Sequence, residues 1–489
     1  MKGRDYTVAV DLGEGKVRVA AAFRENNGAL SIAALAEERT EGIKLGRIEN
    51  SEDVSAALAR AVALVEKRIS SKIDRLYCGI SGEFVYMVQH EESIAISDVK
   101  GRSSIADFDK LEGYMQLVKP AEGFEILDFF MHSTTVDSRR AYKKLVGNYG
   151  KQVGACYNFV MGENDAIERV KTLLEDRSIK LKEMISSAGH FGEAVVSSEA
   201  MEGGVAVVDL GKGITNVAIY YNGVLCYSIS IPVGSDVINR DLASLNINKN
   251  DIERVKCDYG CAVKDNVELK VLAIEGRRAD SPIKMSDYNL ALIIEERVKN
   301  IVKFVEREIR DAGFADKLAY GVVLTGGGAK LRDIDELFRR HLPYDVEIGN
   351  CSMVLASRSV ERYRSEEYAT LIGLLLRGTA LDRDAMEHGC YVPCVTPLAT
   401  AIGGGAAVGV DIDDEDDDDV VVAVPRTRPA AAAQRTTQSR KKQEKNEGQT
   451  AISFGEPEKK SWSLVGAFKG VVDKFANSLD TQSSATDDE

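Results

Sequence analysis

The pentapeptide Asp-Leu-Gly-x-Gly occurs twice in this 489-residue chain, at 11–15 and 209–213. Each copy follows a short run of small and β-branched apolar residues, and a second such run returns directly after it. The pattern predicts a β-hairpin whose first strand ends in a carboxylate and whose turn carries no bulky side chain. Backbone N–H groups of such a turn can approach an anion closely, and the aspartate at its mouth can hold a divalent ion through water. Two of these hairpins facing each other would grip a nucleotide phosphate tail from both sides. The candidate phosphate-binding residues are Asp11, Gly13, Glu14, Gly15 and Lys16 on one side, and Asp209, Gly211, Lys212, Gly213, Thr215 and Asn216 on the other. Asp11 and Asp209 are the candidates for holding Mg²⁺, and Asp209 is also the candidate catalytic carboxylate. A third glycine turn, Leu324-Thr325-Gly326-Gly327-Gly328, follows another apolar run. None of the three is a P-loop, because G-x-x-x-x-G-K-[ST] is missing, and none is G-x-G-x-x-G, which removes the main support for a dinucleotide fold. A single Asp-x-Gly after a strand also matches an ordinary structural hairpin; the ordered set of three is what points to nucleotide.

The elements that would position these turns alternate strands and helices. Residues 1–82 read as two strands of a hairpin, a strand at 30–38, a helix at 52–70 and a strand at 74–80. The stretch 83–161 is mixed, with extended segments at 84–97 and 124–137 flanking a helical one at 104–118 and a strand near 151–161. A helix at 163–176 and a short strand at 183–188 precede the second hairpin set, 205–231. Helices are expected at 236–244, 249–258 and 286–312, the last with Ala291, Ile294, Val298, Ile301, Val305 and Ile309 on one face. Strand, glycine turn and helix fill 320–341, and a last helix covers 365–377.

Length and composition agree with a multi-domain globular chain (44% apolar, 29% charged). The net charge of −14 argues against a general nucleic-acid binder. There is no secretory apolar segment and no apolar run of spanning length, so a cytoplasmic protein is expected. The eight cysteines are scattered without zinc-type spacing, which favours free thiols. From about residue 381 the composition shifts. Asp411–Asp419 is almost wholly acidic and 426–450 is rich in Arg, Lys, Gln, Ala and Thr, so a disordered linker is expected over 381–458. Beyond it, 459–480 has the pattern of an amphipathic helix: Val465, Phe468, Val472, Phe475 and Leu479 fall on one side, widened by Trp462, Leu464 and Val471, with Lys469 and Lys474 opposite. Each such side chain fully buried at a lipid surface contributes about 1.5–3 kcal/mol, and the lysines add attraction to anionic lipid. A helix docking on the protein's own core or on a partner is the competing expectation.

Over residues 5–380 the chain resembles the actin-like ATPase superfamily, which actin, Hsp70 and sugar kinases share. The resemblance rests on the two phosphate loops and on the adenosine-side loop Gly326, Gly327, Gly328. Within that superfamily, Ile231-Pro-Val-Gly-Ser-Asp-Val-Ile-Asn-Arg-Asp241, Ile252-Glu253-Arg-Val-Lys256 and Tyr368-Ala-Thr-Leu-Ile-Gly-Leu resemble the FtsA family of bacterial cell-division proteins. The resemblance implies an α/β, two-lobed fold with duplicated sheets. Subdomain 1A would comprise 1–82 and 162–203, closed by a helix at 365–380, with a small 1C-type insert at 83–161. Subdomain 2A would comprise 204–232 and 313–364, with 2B at 233–312, and 481–489 would form a disordered tail. It implies ATP and Mg²⁺ as ligands, with Gly234, Glu253, Lys256, Gly326, Gly327, Gly328 and Lys330 at ribose and adenine. It implies filaments on the cytoplasmic face of the plasma membrane at the division site, tethering of the C-terminal peptide of the tubulin-like protein FtsZ through 233–312, and recruitment of other division proteins. Several positions depart from the family pattern: Ile214 and Asn216 in the second loop, Asn239, and Glu14, which places a negative charge near the phosphates. ATP binding with weak or absent hydrolysis is therefore expected. A soluble phosphotransferase or phosphatase of the same fold is the alternative, and an actin-like pilus-assembly protein is another. Neither has an obvious use for the terminal helix.

Overall fold

Two five-stranded sheets built to one plan position everything else. The computed structural model describes residues 5–140, 146–277, 283–357 and 359–397. In the first sheet the strands lie in the order Lys180–Ser186, Arg75–Ile80, Thr7–Gly13, Lys16–Arg24, Leu30–Arg39. In the second the order is Val346–Ile348, Val322–Thr325, Val205–Leu210, Thr215–Tyr221, Val224–Ile231. In both, the first three strands run parallel, and the fourth and fifth each pair antiparallel with the strand before them. The duplication places the Asp11 and Asp209 strands at the same central position, each next to its own hairpin partner. Both central strands are covered on two faces, which is why Val8, Ala9 and Val10, like Val205 to Val208, are an unbroken apolar run and all fully buried. Alternate residues of the 205–210 strand serve different cores: Val205 and Val207 pack with the first lobe, Ala206, Val208 and Leu210 with the second.

The hairpins differ from expectation in where their strands stop. Asp11 pairs with Arg18 and the ladder runs on to Gly13 opposite Lys16, leaving Glu14 and Gly15 as a two-residue loop. In the second copy Asp209 pairs with Asn216 and Leu210 with Thr215, leaving the four-residue loop 211–214, closed by Gly211 N–H to the Ile214 carbonyl at 3.0 Å. Each aspartate therefore lies within its strand and projects from the sheet.

The long helix Asp287–Asp311 buries the face read from its sequence, Ala291, Ile294, Val298, Ile301, Val305 and Ile309 included. The insert forms a four-stranded antiparallel sheet (Arg139–Arg140, Phe124–Val136, Gln152–Glu163, Val85–Ala95), with the helix Ile105–Met115 on it and a small core of its own around Leu111, Met115, Phe159 and Met161. A tight hairpin, Ile43–Lys44 with Arg47–Ile48, was not expected from the sequence and lies beside the first loop.

The linker expected from residue 381 requires correction. The last helix runs Ala369–Glu387, and Val395–Pro397 pairs with Ser71–Ile73. Asp382 explains the extension. Its side chain is buried beneath the first sheet, where it accepts hydrogen bonds from Thr7 Oγ1 (2.5 Å) and Tyr77 Oη (2.8 Å) and pairs with Lys182. A helical carboxylate spent inward in this way has the same composition as a solvated one. The remaining linker residues, 398–458, and the amphipathic segment 459–480 lie outside the described residues. Among the described residues, no helix is long and apolar enough to cross a membrane.

Candidate functional site

The two aspartate-bearing turns and the third glycine turn converge on one cleft of about 1060 Å³. Its wall includes Asp11, Gly13, Glu14, Gly15 and Lys16, then Asp209, Gly211, Lys212, Gly213 and Asn216, and also Glu253, Lys256, Gly326, Gly327, Gly328 and Lys330. Residues more than three hundred positions apart are thus neighbours. The glycine at 326 is demanded by geometry: its φ is +84°, and a Cβ there would stand 2.1 Å from Asp209 Oδ1. At Gly327 a Cβ would meet nothing within 4 Å, so that backbone faces open space in the cleft.

Two expected residues are not on this wall. Thr215 is fully buried, and its hydroxyl donates to the Val233 carbonyl at 2.7 Å, pinning the second hairpin to the segment that follows it. Gly234 lies behind the loop. A Cβ there would be 2.4 Å from the Lys212 carbonyl, and the next two N–H groups, of Ser235 and Asp236, donate to the Gly211 and Lys212 carbonyls at 2.9 and 2.8 Å. Gly234 therefore lets the helix Asp236–Ser244 brace the loop at close range.

The two carboxylates are held differently. Asp209 is buried; its Oδ2 accepts from Asn216 Nδ2 and from Thr370 Oγ1, both at 3.1 Å. Asn216 is itself fixed, since its Oδ1 accepts from Ser230 Oγ at 2.7 Å, and Ser230 Oγ accepts from Gly82 N–H of the first lobe at 3.2 Å. Asn216 is thus the amide donor that satisfies Asp209. Asp11 has Arg18 Nη1 at 3.5 Å, and the same guanidinium reaches Glu37 at 3.5 Å and Glu367 at 3.4 Å. Burial raises the pKa of both aspartates above the usual carboxylate range; Arg18 partly offsets this at Asp11 while Asp209 adds to it, and Asn216 and Thr370 partly offset it at Asp209. Two desolvated carboxylates facing one polar cleft beside glycine backbone suit a hydrated divalent cation, which would return both to the ionised form.

On the far side of the cleft, Glu253 Oε2 accepts from Lys256 Nζ at 2.9 Å and from Asn239 Nδ2 at 2.7 Å. Burial would raise the Glu253 pKa, but Lys256 and Asn239 outweigh it and hold the carboxyl below its ordinary range. Lys330 pairs with Glu367, so it is committed to an ion pair across the cleft floor. Arg18, Glu367 and Thr370 were missed in the sequence. Arg18 had one available signal: it stands directly opposite Asp11 in a hairpin with a two-residue loop. Thr370 lies within the phrase Tyr368-Ala-Thr-Leu-Ile-Gly-Leu, but nothing local aims its side chain at the cleft, and Glu367 arrives from the short turn Glu366–Tyr368 that precedes the last helix.

The family model described as cell division protein FtsA matches residues 206–373, which takes in the second hairpin, the third glycine turn and the start of the last helix. The chain is similar to cell division protein FtsA of Neisseria meningitidis (26% identity over 373 residues, 76% of this chain and 89% of that protein). It is similar to the protein of the same name from Escherichia coli (25% over 393 residues, 77% and 92%) and from Bacillus subtilis (24% over 380 residues, 77% and 84%). Among solved structures it is similar in fold to a chain of the PilM-PilN type IV pilus biogenesis complex, with a TM-score of 0.54, 15% identity, and coverage of 77% of this chain and 99% of that one.

Proposed function

Since the chain is a divergent member of the FtsA family of cell-division proteins with an actin-like fold, we propose that it is a nucleotide-switched membrane adaptor. One observation carries the reading: the equivalent central strands of two duplicated sheets bring a buried aspartate and a glycine turn each to opposite walls of one cleft. Glycine backbone from the 13–15 and 211–213 turns would take the phosphate chain of ATP, and Glu253, Lys256 and the 326–328 turn would face ribose and base. Asp11 and Asp209 would hold Mg²⁺ through water, and the cation would supply charge neutralisation for the phosphates. Nucleotide would act here as a conformational ligand, its contacts with both lobes favouring closure. Lobe closure would set self-association into filaments. The segment 459–480 would anchor those filaments on anionic lipid at the inner face of the plasma membrane, and 233–312 would receive the C-terminal peptide of FtsZ, with further division proteins recruited to the assembly.

The test is co-sedimentation of the full chain with anionic liposomes in the presence of ATP and Mg²⁺, against a chain truncated after Pro457, with pellets viewed by electron microscopy. Lipid-dependent pelleting of the full chain alone, with filaments on the membrane, is the expected outcome. If both forms stay in the supernatant, the adaptor reading fails and a soluble enzyme of the same fold takes its place.

A further inference from the structure

In the described structure the phosphate side of the cleft is already filled by a side chain of the protein. Glu14, at the tip of the first hairpin, reaches across to the second loop. A Cβ on Gly213 would lie 1.7 Å from Glu14 Oε2 and 2.4 Å from its carboxyl carbon, so the carboxylate rests directly on the Gly213 backbone. The reverse contact is also made: a Cβ on Gly15 would meet Lys212 Cδ at 3.0 Å and Nζ at 3.4 Å. Each glycine turn thus accommodates the charged side chain of the other. The Glu14 carboxylate is held in place by a third element. Its Oε2 accepts the Leu45 N–H at 2.7 Å. Leu45 sits at the turn of the 43–48 hairpin with φ +49°, a left-handed conformation that costs a leucine about 1–2 kcal/mol, and Gly46 beside it is packed so closely that a Cβ would stand 1.9 Å from the Ser81 carbonyl. A strained residue held by close packing, with its N–H aimed at a carboxylate inside a candidate binding cleft, is a feature that marks functional positions.

We propose that Glu14 is an internal anion seated in the phosphate site, and that it makes the cleft select nucleoside diphosphate over nucleoside triphosphate. The proposal depends on the nucleotide reading above and deepens it. Glu253, Lys256 and Gly326–Gly328 all belong to the second lobe, so the nucleoside end is held there and only the far end of the phosphate chain reaches the first hairpin. A diphosphate can be satisfied by the second-lobe turns. A third phosphate must enter the space between the two turns, where it meets the Glu14 carboxylate or displaces it from Leu45 N–H and from Gly213. Lys212, over Gly15, supplies a charge that either anion can use. Triphosphate binding is thereby coupled to release of the 43–48 hairpin from Glu14.

The experiment is calorimetric titration of the full chain with Mg-ADP and with a non-hydrolysable Mg-ATP analogue, on the wild type, Glu14→Gln and Glu14→Ser, with thermal unfolding to confirm that each variant is folded. The wild type should bind the diphosphate at least about tenfold more tightly, or about 1.4 kcal/mol. Both variants should bring the two affinities within about twofold of each other, by gaining on the triphosphate. Hydrogen exchange on the wild type supplies a readout that needs no variant: the Leu45 amide should exchange faster with the triphosphate analogue than with ADP. The proposal is overturned if the wild type prefers triphosphate, if the variants leave the ratio unchanged, or if they weaken triphosphate binding, which would make Glu14 a ligand acting through the cation. Those outcomes leave nucleotide binding intact. If neither the wild type nor the variants bind any nucleotide, the underlying reading fails as well.

Discussion

Substituting aspartate for Asn216 puts a second carboxylate beside Asp209, and the structure says it should harm this protein. Asn216 Nδ2 donates to Asp209 Oδ2 at 3.1 Å, in a position with 2% exposure. Asn216→Asp replaces that donor with a second carboxylate at the same separation. At an effective dielectric of about 20, two unit charges that close repel by about 5 kcal/mol. The pair escapes part of this by taking up a proton, which from a reference pKa of about 3.9 costs about 4 kcal/mol at pH 7. Asp209 already titrates above its ordinary range because of burial, which lowers the cost further, so a loss of about 3–4 kcal/mol is expected. With an unfolding entropy of about 2.1 cal/mol/K per residue over the chain through Pro397, that is a fall in Tm of roughly 4–5 °C. The sign with pH follows: the penalty is full at neutral pH and fades as pH falls toward the carboxylate range, where the pair is protonated. Added Mg²⁺ should recover more stability in the variant than in the wild type, because two adjacent carboxylates gain more from a cation than one. Circular-dichroism melts at pH 7.5 and 5.0, with and without Mg²⁺, measure all three. A variant whose Tm matches the wild type within 1 °C at pH 7.5, with no dependence on pH or Mg²⁺, would refute the assignment of Asn216 as the group that accommodates Asp209.

Substitutions at three other sites test the frame around the cleft. His190 joins the first lobe to the insert, with Nδ1 2.9 Å from Glu193 and Nε2 3.7 Å from Asp128. Burial alone would depress its pKa, but the neighbouring Asp128 and Glu193 carboxylates outweigh burial and raise it to about 9. Because the folded pKa lies above the unfolded one, this stabilisation is complete below pH about 6.5 and disappears as pH rises through 9; melts across that window should show up to about 3 kcal/mol lost in the wild type and a flatter profile in His190→Gln. Asp382→Ala should cost about 3–5 kcal/mol in chemical denaturation, since it removes at once the acceptor of the Thr7 and Tyr77 hydroxyls and the partner of Lys182, and Asp382→Asn, which keeps an acceptor, should recover part of it. Gly326→Ala should cost more than the roughly 1–3 kcal/mol of its glycine-only backbone conformation, because the methyl also meets Asp209 Oδ1 at 2.1 Å and the Leu210 carbonyl at 2.8 Å, and it should reduce nucleotide affinity at least about tenfold, as read by equilibrium dialysis.

Much of the fold was legible because it is written in local periodicity. The hairpin at 205–231 repeats the pattern of 7–39, and both sheets have the strands that this repetition implies. The face of the 287–311 helix is visible in a spacing of three and four residues, and the structure buries all of it. Short elements were not legible. The 43–48 hairpin has two residues on each side, and 346–348 is a three-residue strand, too brief for any period to register. The end of the last helix was misjudged because Asp382 counts as a charge in composition and only its burial against Thr7 and Tyr77 shows that it belongs inside.

The candidate site divides along the same line. Asp11, Asp209 and the glycines at 13, 15, 211, 213 and 326–328 could be named from sequence because the chemistry of a turn requires those residue types at adjacent positions. The sequence by itself also determined that the unit occurs twice, and hence that two turns are available to one ligand. Only the tertiary structure decided what lies across the cleft from what. It turned Thr215 inward to the Val233 carbonyl, brought Thr370 to Asp209 across 161 residues and Glu367 to Arg18 across 349, and laid Glu14 on the backbone of Gly213. Turn chemistry is set by neighbours in the chain, whereas contact between lobes is set by how two sheets are held, which depends on every residue in their shared core.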